Sequence, residues 1–415
     1  MTRPEDLIYA VEELPPWPRL IFLGAQHAVL MSVYLVLIVI VFRSANASHA
    51  ATLNALSLGM IALAISTTLQ AIWRGPVGSG YLAPPVFSAI YIGPAVFAAD
   101  TGGLPAVFAM TIFAGLVEIG LAPLLRRLRG LFPPAISGFI VAIVGLQLGV
   151  IGIGDLLGVE HIERPTFHYH LMVGFLTLAT MCAFSVWGRG VVRLICSMLG
   201  IVVGMVGSLA LGLVSTDDLA SFLGAPIIAI PEPGYLAYDF RLSLIPAFLM
   251  AGTAAMLRTV GVITTCQKIN DSDWKRPDLG PIQRGILAGG IGCMVGGLLG
   301  VMGMNTAPSL VGVSKAPGAT SRYIAFACAA TLVIFAFIPK YAALFLMLPQ
   351  PVIGASMVFT SSFMSPAAFR SSPRGMSTAG PLTSSGCRYC WASPERFSRP
   401  ISNALRRSST CSPAA

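Results

Sequence analysis

The sequence predicts an all-α polytopic membrane protein. Three observations carry that expectation: an apolar composition, apolar runs that recur almost end to end, and two broken segments that match across the halves of the chain. Hydrophobic residues make up 55% of the 415 and charged residues 10%, and the mean hydropathy is +0.79. Soluble domains carry roughly 25% charged residues, so a water-exposed surface of ordinary size cannot be built from this chain. The start, Met1–Arg19, is polar and acidic-leaning, with no basic stretch ahead of a short apolar core. No cleaved leader is therefore expected, and the first apolar run is read as staying in the membrane.

Runs long enough to span hydrocarbon, roughly 20 residues each, lie at about 18–42, 51–73, 103–124, 131–151, 169–186, 191–214, 243–265, 284–304, 321–338 and 341–364. Two shorter stretches, 80–99 and 305–316, are interrupted by Pro and Gly. Arg126, Arg127 and Arg129 crowd one loop, Arg189 and Arg193 flank another, and Lys268, Lys275, Arg276 and Arg284 sit in a third. The intervening loops are acidic or poor in cations, with Asp217, Asp218, Glu232 and Asp239. If both interrupted stretches cross the bilayer, the three basic loops share one side. The positive-inside rule makes that side cytoplasmic and places the N-terminus with it; the expected location is a bacterial inner membrane.

The interrupted stretches also echo each other. Gly80-Tyr-Leu-Ala-Pro-Pro-Val-Phe-Ser88 matches Met304-Asn-Thr-Ala-Pro-Ser-Leu-Val-Gly312 with an offset of 224, and Pro133-Pro-Ala-Ile-Ser-Gly138 matches Pro349-Gln-Pro-Val-Ile-Gly354 with an offset of 216. Matched broken helices in two halves mark an inverted-repeat transporter. Pro and Gly free backbone groups that lipid cannot satisfy, so such backbone must line protein or a water-filled cavity. A pair of plain proline kinks is the alternative; two in register favour a substrate site. In segment nine, Gly285, Gly289, Gly292, Gly296 and Gly300 have the spacing of close helix packing. The loop Gln267–Asp278 is amphipathic and basic enough to lie on the membrane surface. No metal cluster, catalytic triad or nucleic-acid signature stands out, and neither a cofactor nor an enzymatic activity is expected.

Leu23-Gly-Ala-Gln-His27, the Tyr81–Ser88 stretch, Leu131-Phe-Pro-Pro-Ala-Ile-Ser-Gly138 and Ile143-Val-Gly-Leu-Gln-Leu148 resemble the nucleobase–ascorbate transporter family, the xanthine and uracil permeases. Asn305-Thr306, Gly312-Val313, Thr320-Ser-Arg322 and Pro349-Gln-Pro-Val-Ile-Gly354 extend the likeness, in the family's order, over about residues 18–364. The resemblance implies seven plus seven inverted helices in a core and a gate domain, with short strands and half-helices in the two broken segments. It also implies nucleobase uptake coupled to protons or sodium, often by a homodimer. On this reading residues 1–17 are a cytoplasmic segment, 18–214 the first repeat and 243–364 the second.

The family places backbone groups and an aromatic ring against the base at Val86 and Phe87, and an aromatic face suits a planar heterocycle. Its usual Glu and His in segment eight align with Ala254 and Arg258, and its Glu or Gln followed by Asn in segment ten with Ser309 and Leu310. The carboxylate that reads a base's N–H edge is thus missing. Arg258 either snorkels to the cytoplasmic side or faces the site and favours an anionic solute. Gln26 and His27, with Asn305, are candidates for coupling or for bridging helices. Glu118 sits deep in a span, as a proton carrier or as the structural partner of Arg258 or His27. An anion transporter of the same fold, for sulfate or bicarbonate, is the first rival reading.

After Met364 the character changes. Residues 365–415 hold twelve Ser, six Pro and seven Arg against a single acid, so most of the chain's formal charge of +9 sits there and says little about the membrane body. Cys387-Arg-Tyr-Cys390 has no second pair, which argues against a metal site. A disordered tail is one expectation. A frameshift is the other, since permitted codons for Ala367–Thr378 read one base earlier spell an apolar segment ending in a basic turn. The frameshift would leave the second repeat without its last two helices, and a truncated, non-transporting protein is the second rival reading.

Overall fold

The computed structural model describes residues 4, 7–124, 146, 149–150, 152–158, 167–188, 192, 196–214, 222–224, 226–315 and 318–370. The Arg126–Arg129 and Arg189–Arg193 loops, Asp217 and Asp218, the Pro133–Gly138 motif, most of Ile143–Leu148 and the tail beyond 370 lie outside the described residues.

The chain enters helix α1 (Trp17–Ser32) at Pro18, where a missing N–H costs nothing. A 3₁₀ turn at Val33–Leu35 leads into α2 (Val36–Ser44), and together they make one apolar span. Helix α3 (His49–Ala71) starts where the Ser48 hydroxyl accepts from the Ala51 amide at 3.2 Å. The broken stretch follows as strand β1 (Pro85–Phe87) and then α4 (Ala89–Leu121). Gly103, with φ 68°, divides α4 into a half-helix from Ala89 and a full span ending at Leu121. Next come α5 (Phe167–Val186), α6 (Cys196–Ala210) and α7 (Ile245–Asn270). Asp278 caps α8 (Leu279–Leu298) by accepting from Gly280 N at 3.0 Å. Strand β2 (Met304–Thr306) and the half-helix α9 (Pro308–Lys315) form the second broken stretch, before α10 (Tyr323–Ala336).

The last predicted span differs from expectation. Residues 341–364 do not form one helix: α11 (Pro339–Leu346) is bent 82° from α10, and α12 (Gln350–Arg370) starts afresh. Pro339, Pro349 and Pro351 are the physical reason, since each removes a helix donor and crowds the preceding turn. Five helices among the described residues are long and apolar enough to cross a bilayer, and the bent α10–α11 pair would make a sixth.

Two packing groups result. Helices α4, α7 and α8 pack together, α8 and α10 pack on α3, and α1 packs on α10; α5, α6 and α12 form the second group. The glycines of α8 earn their places by close approach. A Cβ at Gly285 would overlap Ile263, one at Gly292 would overlap Ser66, and one at Gly290 would sit 2.8 Å from the Gly115 carbonyl. Apolar side chains such as Phe22, Met172, Val206 and Met250 stay exposed, as a lipid-facing surface allows.

Candidate functional site

The two broken stretches meet as an antiparallel pair, with Pro85 opposite Thr306, Val86 opposite Asn305 and Phe87 opposite Met304. The pairing continues at each end, Ala307 N donating to the Pro84 carbonyl at 3.2 Å and Ser88 N to that of Gly303 at 3.2 Å. The backbone that proline and glycine freed is thereby satisfied inside the protein, as a membrane demands. A half-helix leaves each strand, one from Ala89 and one from Pro308, so both present the electropositive N-terminal ends of their backbones near the crossing.

Asn305 fixes this crossing to α7. Its Nδ2 donates to the Ala255 carbonyl at 2.7 Å, and its Oδ1 accepts from the Thr259 hydroxyl at 2.8 Å and the Thr306 amide at 2.6 Å. That orientation leaves the adjacent face of α7, bearing Ala254 and Arg258 one turn apart, beside β1. Arg258 Nη1 donates to the Ser88 hydroxyl at 3.1 Å, so the guanidinium reaches the crossing, not the loop that holds Lys268. Among the described residues no carboxylate pairs with it. Ser88 also caps the half-helix, its Oγ accepting from Ile90 N at 3.3 Å.

A cavity of about 70 Å³ opens here. It is walled by Val33, Tyr34, Val36 and Leu37 at the α1–α2 junction, by Val86–Ala89 and Arg258, and by Ser197 of α6 and Ser356 and Met357 of α12. Tyr34 and Ser309 share a hydrogen bond of 3.1 Å between their hydroxyls, and Pro308 and Ser309 are exposed. A Cβ on Gly312, one turn after Ser309, would meet nothing within 4 Å.

The candidate residues therefore divide. Val86, Phe87, Arg258 and Ser309 lie at the crossing, with the first three in the cavity wall. The ring of Phe87 is fully buried, its tip 3.1 Å from where a Cβ on Gly59 would be, so it packs under α3. Ala254 and Leu310 are buried in the apolar core. His27 lies away from the cavity wall: its Nδ1 is 2.8 Å from the Leu23 carbonyl and its Nε2 2.9 Å from Ser314 Oγ. The carbonyl can only accept, so Nδ1 carries a hydrogen. The Ser314 hydroxyl is also 3.0 Å from the Leu310 carbonyl, so its one hydrogen serves either α9 itself or α1. Gln26 is half-buried on the same helix.

Glu118 corrects an expectation. Its partner is neither Arg258 nor His27 but Tyr91, whose hydroxyl donates to Oε1 at 2.6 Å. Tyr34, Ser88, Tyr91, Thr259 and Ser314 were not singled out from the sequence. Only Ser88 carried a usable signal: a serine between a Pro-Pro run and an apolar helix is a helix cap.

A model of the permease family, Xan_ur_permease, matches residues 18–382, well over half of the chain. The match passes Met364 and enters the Ser- and Arg-rich stretch. The xanthine permease XanQ of Escherichia coli (strain K12) is 28% identical over 386 residues, covering 88% of this chain and 81% of that protein. A putative purine permease of Clostridium perfringens is 26% identical over 352 residues, 84% of this chain and 76% of the relative. The uric acid permease PucK of Bacillus subtilis is 26% identical over 347 residues, 82% and 78% of the two chains. Among solved structures, the transmembrane domain of the cyanobacterial bicarbonate transporter BicA superposes with a TM-score of 0.58 at 16% identity, covering 89% of this chain and 93% of that one. Murine Slc26a9, an anion transporter in its inward-facing state, gives 0.57 at 11% identity, covering 87% and 62%. Those two likenesses establish the fold, the one that these transporter domains share as an inverted seven-plus-seven repeat. The chain belongs to the xanthine/uracil permease family, and is a multi-pass membrane transporter, not an enzyme.

Proposed function

We propose that this permease carries a purine base of the xanthine or urate kind, coupled to protons or sodium, through the cavity beside the β1–β2 crossing. The observation that supports this most is the composition of the cavity wall. Backbone of a broken segment, a helix-capping serine and a guanidinium with no carboxylate partner among the described residues converge on one space within a family whose named relatives take xanthine, uric acid or purines. At about 70 Å³ the cavity is well below the roughly 300–1,000 Å³ of ligand pockets. Admitting a bicyclic base therefore requires α6 and α12 to draw away from α1 and β1, the rocking of one packing group against the other that alternating access uses. A homodimer is part of the same proposal, checked by the mass of the solubilised protein.

Arg258 favours a second reading, in which the cargo is an anion. In this reading Arg258 and Ser88 replace the acidic group that aligns with Ala254, so the site selects by charge where an acid would select an N–H edge. Labelled xanthine uptake into proteoliposomes, competed by uracil, urate and sulfate, separates the two. Competition by urate with none by sulfate supports a purine carrier; competition by sulfate alone overturns it. The same assay with the cation removed reads Arg258 directly: Arg258→Gln is expected to lower the preference for anionic over neutral bases at least tenfold, the effect of losing a charged hydrogen bond of roughly 1.5–3 kcal/mol. An unchanged preference would show that the guanidinium does not face the solute.

A further inference from the structure

We propose that Glu118 is the proton-binding group of the transport cycle, with Tyr91 linking it to the half-helix that borders the cavity. The inference rests on the transport reading above and narrows its coupling ion to the proton. Glu118 is fully buried, and it is the one carboxylate in the buried set among the described residues. Its Oε1 accepts from Tyr91, while Oε2 has no hydrogen-bond partner among the described residues. An ionised carboxylate at this depth with a single donor costs several kcal/mol unless a cation pairs with it. A proton removes that cost.

Among the described residues the neighbours supply no cation. Its own helix α4 contributes Tyr91 as the titratable group, α8 contributes Cys293, and α7 contributes the Thr259 hydroxyl. The space in front of Oε2 is kept open by glycine: a Cβ at Gly289 would lie 3.3 Å from that oxygen, and one at Gly290 would lie 3.1 Å from the Glu118 Cβ. Arg258 donates to Ser88 and forms no ion pair with Glu118.

The same geometry ties Glu118 to the solute. Tyr91 stands one turn into the half-helix that Ser88 caps, its amide donating to the Ser88 carbonyl at 3.0 Å. Its ring rests against Gly303, where any Cβ would strike it, so the ring is gripped between the start of β2 and Glu118. A solute that bonds to Ser88 or Arg258 pulls on the element that carries the single donor to the carboxylate. Loss of that donor favours a proton on Glu118; its return favours release. This is the differential affinity that coupling requires.

The test uses the full chain in proteoliposomes with two readouts. Infrared titration is expected to show a protonated carboxyl band that disappears as pH rises and is missing from Glu118→Gln. Transport by Glu118→Gln is expected to lose at least tenfold of its accumulation of labelled xanthine driven by a pH gradient, while counterflow, which needs no net proton movement, persists. A band that survives in the variant, or pH-driven accumulation equal to the parent's, overturns the inference. If Glu118→Gln does not fold, Tyr91→Phe serves: the pH at which the band is lost must move, and an unmoved band is a refutation. A parent protein that exchanges no base refutes the transport reading instead, and the infrared result still decides whether Glu118 binds a proton.

Discussion

Asn305 makes two hydrogen bonds that hold β2 against α7, to the Ala255 carbonyl and the Thr259 hydroxyl, and its Oδ1 also accepts from the Thr306 amide within β2. All are buried, so removing the side chain leaves donors and acceptors with no water to turn to. Each such group costs about 1–3 kcal/mol. Asn305→Ala is expected to destabilise the protein by at least that amount, read as a lower midpoint of thermal unfolding in detergent, and Asn305→Asp to rescue less than half of it because Nδ2 is lost. At this scale the sequence was partly legible. Asn305 and Arg258 stood out as polar groups in apolar surroundings, where an unexplained side chain invites a reason. Tyr91 and Thr259 did not, because a tyrosine or threonine in a membrane helix is ordinary until its partner across the fold is known.

At the scale of elements, α8 is set by how closely its neighbours approach. Gly292 faces Ser66 of α3 so tightly that no Cβ fits, and Gly297 faces Ile112 and the Phe108 carbonyl, a Cβ there meeting them at 2.7 and 2.8 Å. Gly292→Val is expected to cost about 1–3 kcal/mol through overpacking, visible as reduced yield of monodisperse protein, with Ser66→Gly in the same chain recovering part of it. The glycine spacing announced this packing from the sequence alone, since small residues one turn apart leave a groove for a neighbouring helix. The two broken segments were legible for a related reason: proline and glycine within an apolar run leave backbone that must be satisfied elsewhere. Their pairing partner was legible only through the internal echo. The break at Met347–Pro349 was missed because hydropathy measures how apolar a window is and not whether its backbone can stay helical.

For the whole molecule, the positive-inside pattern and the two strands make one topological statement. If both broken stretches cross, Lys275 and Glu232 lie on opposite faces of the membrane, with the N-terminus on the side of Lys275. Single cysteines placed at each position, in a chain cleared of its own cysteines, are expected to react with an impermeant thiol reagent from opposite sides of inside-out and right-side-out vesicles. Labelling of both from one side would mean that one broken stretch re-enters without crossing. The division into two packing groups was anticipated only by family resemblance, because no local pattern says which apolar helix meets which. Charge asymmetry fixes the side on which a loop lies, and says nothing of its neighbours.

The β1–β2 crossing joins residues more than two hundred positions apart, and that separation sets a schedule for biogenesis. A ribosome adding about 5–20 residues per second needs roughly 10–40 s to travel from the first strand to the second. Through that interval the Pro85–Phe87 backbone lacks the strand that satisfies it in the folded protein, a state that hydrocarbon penalises. The first half of the carrier is thus a client awaiting its second half, and any lesion that slows or spoils the arrival of Asn305 is felt as degradation of the half already made.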